Sequence, residues 1–432
     1  MEIKSKKSNL IFNVILIITM LIFVIRNTLL LKLDNTFFIG LNLISFFLCI
    51  IVFIYNYIKT IEKFDVKKFI KNNIIIILYF VVRLITLYIK GFDNATLRSI
   101  VIEFFLLVIL FRGLTLNGND PKKILKPCII IISLVTAFFI LRVVYYLFTS
   151  SGLEESFLKS LIYSISGTTF NVNPNDGGIL VTFVIAFSLF YIEKKDYKYY
   201  ICFIISIAYL FLSGCRSAIT GLIVIAFCYL ITKFCKKIGF KKQMAAVLSL
   251  SLAYLIIMFT VVGINSKVVG FTPFENMWNT YSSQRYMLDK YTILSLKDDF
   301  LLGFGSYEYT GQKRYDYLMD NIPQMVDVKL GADAGYVSKY RTLNAHNGFL
   351  DFIAGNGLIC LILFLYFFIN RIKNIDDKVC KKYFLPIIYM IVVSNFENTI
   401  LNIIPFMFFL IILFIASMEY EQLKINESNE NI

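Results

Sequence analysis

Apolar residues in this chain come in long unbroken runs, separated by short polar connectors rather than interleaved with polar positions at strand spacing. About 20 apolar residues are what an α-helix needs to cross a hydrocarbon core of about 30 Å. On that measure the pattern predicts helices at 9–25, 36–58, 73–90, 97–112, 125–148, 177–192, 198–213, 217–234, 244–264, 347–370, 383–399 and 401–419. The expected fold is all-α, a polytopic integral membrane protein with about 12 transmembrane helices, since helices satisfy their own backbone groups in lipid.

One long hydrophilic interval divides the pattern. The expected organisation is a membrane domain at 1–264 with the first nine spans, a large extracytoplasmic loop at 265–346, three further spans in 347–419, and a cytoplasmic tail at 420–432. The tail is polar and acidic and is expected to be loose. Within the loop, 275–300 reads as a helix lying against the membrane surface, with Ile293, Leu294, Leu296 and Phe300 among its apolar residues. It should stop at Leu302-Gly303-Phe304-Gly305, where the glycines permit a sharp backbone turn.

Composition agrees with that class. The 432 residues are 58% hydrophobic and 17% charged, with mean hydropathy +0.72. A soluble domain lies nearer roughly 45–50% apolar and about 25% charged. The net charge of +14 raises a nucleic-acid reading, but Lys and Arg are confined to connectors between apolar runs. Nucleic acid is therefore not an expected partner. The connectors on the amino-terminal side hold 25 basic residues against 6 in the opposite short loops. By the positive-inside rule both termini are cytoplasmic and 265–346 lies outside. The first apolar run follows Lys4, Lys6 and Lys7 with no small-residue cleavage site after it, so it reads as a signal anchor. None of the eight cysteines falls in the large loop, and no metal-ligand spacing can be built from them. No phosphate loop or nucleophile elbow is present, and no cofactor is expected.

A few residues carry candidate chemistry. His346, the sole histidine, stands where the large loop meets a span, and its unperturbed pKa suits proton transfer near neutrality. A chain this rich in Ile, Lys, Asn and Phe also thins out histidine through bias alone. Arg216 lies in Ser213-Gly214-Cys215-Arg216, a tight outer turn; its guanidinium would either snorkel to headgroups or clamp a phosphate. Arg285, in Ser283-Gln284-Arg285, would either pair with Asp289 four residues on or face a ligand. Arg83, Glu103 and Arg142 each fall six or seven residues inside a span, about 9–10 Å deep at 1.5 Å per residue. Equal depth makes an ion-pair cluster feasible, and substrate contact is the alternative. Glu397, at the outer junction of the last two spans, could face the same site.

At His346 the residues resemble a family. The string Ala345-His346-Asn347-Gly348-Phe349-Leu350, with nine residues between Asn347 and Gly357, is similar to the signature of the O-antigen ligase and polysaccharide polymerase (Wzy-type) superfamily. Cys360 departs from the residues common in the ligase branch. Four further elements occur in the family's order: Asn173-Pro174-Asn175 before a span, Ser213–Arg216, Ser283–Arg285, and Leu302–Gly305. The resemblance covers roughly 170 to 370. It implies an enzyme of the bacterial cytoplasmic membrane, working on the outer face with an undecaprenyl-diphosphate-linked glycan and without a metal. It also implies that Arg216 and Arg285 hold the diphosphate and that His346 deprotonates the acceptor hydroxyl. Asn347, Arg142, Arg83 and Glu397 are the further residues expected to contact substrate.

The reading is a metal-independent membrane glycosyltransferase that polymerises lipid-linked repeat units into capsule or O-antigen. Membrane lipids, a flippase and a chain-length regulator are its expected partners. The nearest alternative is a ligase, or a protein O-oligosaccharyltransferase, using the same donor. A flippase for the same lipid-linked glycans is the alternative of another class, although no inverted repeat is visible.

Overall fold

The computed structural model describes residues 66–91, 93–104, 122–149, 174–192, 196–235, 238–268, 271–282, 285–306, 309–321, 345–397 and 406–430, together with Val14, Phe47 and Ile51 as single helical positions. Every regular element among them is helical. In chain order these are α1 (Val66–Lys90), α2 (Asn94–Phe104), α3 (Lys122–Thr149), α4 (Pro174–Ile192), α5 (Tyr197–Ser213), α6 (Arg216–Phe234) and α7 (Phe240–Ile264). They are followed by α8 (Pro273–Tyr281), α9 (Arg285–Ser295), α10 (Thr310–Asn321), α11 (Gly348–Lys373), α12 (Asp377–Cys380), α13 (Phe384–Val393) and α14 (Phe406–Glu430).

Four of the described helices are long and apolar enough to cross a membrane: Asn73–Lys90 within α1, Arg216–Phe234, Phe240–Ile264 and Gly348–Lys373. Phe227, Leu250, Ile256 and Tyr366 on these helices are exposed. Large apolar side chains spread over long helix faces suit lipid, not water. The protein is membrane-integral, and its described residues form helices alone. The expected spans at 9–25 and 36–58 lie outside the described residues apart from Val14, Phe47 and Ile51.

The core gathers around α13, which packs on α4, α6 and α7, while α11 packs on α1. Close approach is set by small residues: a Cβ on Gly221 of α6 would overlap the Tyr389 ring of α13. On the other flank the rings of Tyr79, Phe352 and Phe364 pack together, with centroids 5.2–6.3 Å apart. Such aromatic contacts replace the water-driven burial that lipid does not supply.

Three expectations are corrected. The span expected at 347–370 is not one helix: Gly357, at φ 85 and ψ 163, breaks α11. The loop at 300–305 enters that break. Leu358 and Ile359 donate their N–H groups to the carbonyls of Phe300 and Leu301 at 3.1 and 3.3 Å, and Phe304 donates to Ala354 at 2.7 Å. Backbone outside a helix is tolerated at membrane depth where protein satisfies it. Gly303 and Gly357 meet backbone to backbone, leaving no room for a Cβ on either.

The surface helix expected at 275–300 is instead two helices, α8 and α9, parted after Tyr281. Tyr286, Leu288, Asp289, Lys290 and Tyr291 of α9 are buried in protein and do not face lipid. Their partners lie in segments distant in sequence, which periodicity cannot report. Finally, the tail is not loose. Helix α14 runs on to Glu430, and Glu421 accepts the Tyr383 hydroxyl at 2.7 Å and pairs with Lys382. Gln422 accepts the N–H of Asp376, the cap of α12, at 2.7 Å, so the tail is docked on the turns at both ends of α12.

Candidate active site

The site forms where several helices begin. Gly214, left-handed at φ 60, ends α5 and lets the chain reverse so that α6 starts at Arg216. The Arg216 side chain is exposed, and Ser217 beside it is buried with its hydroxyl 3.4 Å from Glu397 Oε1. The first turns of α4 lie against the same reversal, since a Cβ on Gly178 would come within 2.6 Å of the Cys215 Cβ.

Helix α9 starts at Arg285. Its guanidinium does not close on Asp289, the local partner that the sequence offers. It reaches instead to the turn after α13, where Nη2 lies 2.6 Å from Glu397 Oε1 and Nη1 donates to the Phe396 carbonyl at 2.5 Å.

Helix α11 starts just after His346. Asn347 caps it, its Oδ1 accepting the Leu350 N–H at 3.1 Å. The Gly348 N–H donates to the Ser394 carbonyl at 2.7 Å, and a Cβ there would press on the carbonyls of Glu397 and Ser394 at 3.1–3.2 Å. Glycine at 348 is what lets the histidine turn dock on the 394–397 turn. Among the described residues His346 is the one non-glycine with positive φ, at 57. That conformation costs an ordinary residue about 1–2 kcal/mol, and such strain gathers at functional positions. His346 Nδ1 lies 3.3 Å from Glu397 Oε2.

Glu397 is therefore the hub, shared by Arg285, His346 and Ser217. It is itself largely buried, whereas the Arg285 and His346 side chains are 25% and 31% exposed. The starts of α6, α9 and α11 each bring a residue to it: Ser217, Arg285 and His346. Unsatisfied N–H groups give each helix start a partial positive charge. Together with two arginines they make a place suited to an anion. An ionised Glu397 beside Nδ1 favours the tautomer with its proton there, which leaves Nε2 able to accept one.

The structure thus brings together His346, Arg285 and Glu397, with Arg216 on the adjoining turn. Asn347 is 1% exposed, and its oxygen serves the cap. Arg83 is not in this cluster: it pairs with Glu103 inside the helical core, and Tyr79 donates to the same carboxylate at 2.7 Å. The ion pair expected from equal depth is formed. Arg142 belongs to α3, with its side chain outside the described residues, as is Asn173. Ser217 was not anticipated, and no local signal marked it. Gly357 stood in the signature with no role attached; its role is the break that admits 300–305.

Residues 201–365 match the model of the O-antigen ligase family, Wzy_C. This segment carries Arg216, Arg285, His346 and Gly357, the residues on which the sequence resemblance rests. No curated protein matches the chain significantly.

Proposed function

We propose that this protein polymerises undecaprenyl-diphosphate-linked oligosaccharide repeat units into a surface polysaccharide, on the outer face of the bacterial cytoplasmic membrane. The observation that carries the reading is the meeting of His346, Arg285 and Glu397, beside the Arg216 turn, where three helices begin.

In this reading the non-reducing-end hydroxyl of one lipid-linked unit attacks the anomeric carbon of the chain held on a second lipid diphosphate. His346 Nε2 takes the hydroxyl proton as the new C–O bond forms. The bond from the anomeric carbon to phosphate breaks, and its electron pair leaves with the diphosphate. Arg216, Arg285 and the helix starts stabilise that departing charge, because they are fixed in place before it develops. Glu397 keeps the imidazole in the right tautomer and steadies the Arg285 fork.

Ligation to another acceptor would use the same donor grip, so the acceptor decides between the two reactions. Purified protein in detergent, given lipid-linked repeat units alone, should yield a ladder of longer lipid-linked chains. Transfer only when a lipid A-core or a Ser/Thr protein acceptor is added would replace polymerisation with ligation. No elongation in detergent, with translocation of the same units in sealed vesicles, would replace both with transport.

A further inference from the structure

The helix cap is only part of what holds His346. Asp351, in the first turn of α11, is 1% exposed, and its Oδ1 accepts the Ala345 N–H at 2.9 Å. Its own N–H donates to the Asn347 carbonyl at 2.8 Å. The residues on either side of His346 are therefore each tied by a side chain, Ala345 to Asp351 and Asn347 to Leu350. Between these two ties lies the left-handed residue. A strained conformation persists only where its surroundings over-determine it.

A carboxylate near a helix start is favoured by the helix dipole, and that alone would account for an exposed aspartate. Asp351 is not exposed. It lies where α9, α10 and α11 pack together, among other buried charges. Asp289 of α9 is 6% exposed, and Arg314 of α10 is 1% exposed with Nη1 donating to Thr292 Oγ1 at 3.1 Å. Burial pushes the Asp289 carboxyl well above its usual range, and the charge of Asp351 adds to that while Arg314 opposes it. Asp289 Oδ1, Asp351 Oδ2 and Asn347 Nδ2 are buried with no hydrogen-bond partner among the described residues. Burying such groups is costly, which points to a role beyond helix stability.

We propose that Asp351 is the positioning residue of the histidine: by holding the Ala345 N–H it keeps His346 in its left-handed turn and its ring on Glu397. Arg314 supplies the compensating positive charge from α10. The assignment rests on the reading of His346 as the base.

Because His346 is the only histidine, protein labelled with ¹⁵N-histidine and freed of any affinity tag gives imidazole resonances from this side chain alone. Asp351→Asn leaves an oxygen able to accept from Ala345. Its spectrum should match the wild type, and kcat for elongation should stay within about threefold. Asp351→Ala removes the acceptor. Its resonance should shift or split, and kcat should fall by about tenfold to a hundredfold while KM for the lipid-linked donor moves by less than about twofold.

A wild-type spectrum from Asp351→Ala would overturn the proposal, as would an Asn variant as impaired as Ala. If the Ala protein does not accumulate, Asp351→Gln keeps an amide in the buried position but misplaces its oxygen, and the same two criteria apply. His346→Gln tests the base separately. Normal elongation by that protein would end the catalytic reading, whereas the Asp351→Ala spectrum still reports whether the turn is held.

Discussion

Helix α9 carries two cations that sit in opposite kinds of place. Lys290 is 1% exposed and lies 2.9 Å from Glu275, which is fully buried. The same carboxylate accepts the Tyr286 hydroxyl at 2.9 Å and the Thr272 N–H at 2.8 Å, in a capping box at the start of α8. Burial works against the ionised Glu275, but the Thr272 N–H, Lys290 and Tyr286 outweigh it and hold its carboxyl below the usual range. At the other end of the helix, Arg285 is a quarter exposed, and its carboxylate is shared with a histidine that is also open. The two ion pairs have nearly the same length. Exposure, and the number of groups drawing on one carboxylate, separate the closed pair from the working one.

The largest effect should come from the open cluster. His346→Gln keeps size and some hydrogen bonding but removes the base, so elongation by purified protein should fall by about 10²–10⁴. A near-normal rate would mean that the hydroxyl is activated elsewhere, with Glu397 the next residue to test. The closed pair should answer in stability. Lys290→Met strands a buried carboxylate and should cost about 3–5 kcal/mol, read from thermal unfolding in detergent. Adding Glu275→Gln should recover much of that loss. A Lys290→Met protein as stable as the wild type would erase the distinction. Because Glu275 titrates below its unfolded value, its contribution is present above the unfolded pKa and is lost as pH falls through the folded one.

Arg285→Lys should lower kcat/KM by about tenfold to a hundredfold, the worth of about 1.5–3 kcal/mol for a charged hydrogen bond that a point charge does not reproduce. Arg216→Lys should be less forgiving still, since Arg216 opens α6 straight after a tight reversal. Full activity with lysine at either site would reduce that arginine to a source of field. The smallest effect belongs to the box itself. Thr272→Ala should cost about 0.5–2 kcal/mol of stability and leave turnover unchanged.

Much of this was legible in the chain. Runs of apolar residues do report helices in lipid, and equal depth made an Arg83–Glu103 pair feasible, which the structure forms. The signature order singled out His346, Arg285 and Arg216, and the first two share the Glu397 carboxylate. What stayed hidden depends on contacts distant in sequence. Asp289 is the obvious i+4 partner of Arg285, but the carboxylate that takes it lies 112 residues away. Asn347 reads as a polar residue beside a catalytic one, yet its oxygen caps a helix. Hydropathy passes straight through Gly357, because a break changes dihedral angles and not polarity.

That break bears on how the protein is made. Leu358 and Ile359 begin the second half of α11 with N–H groups that the first half does not receive, and Phe300 and Leu301 receive them. Residues 300–305 leave the ribosome earlier, so their fold must be waiting on the proper side when α11 arrives. A chain in which residues 300–305 failed to reach the break would carry bare amides into hydrocarbon, each costing several kcal/mol. The two glycines thereby couple completion of this helix to the folding of a segment some fifty residues earlier in the chain.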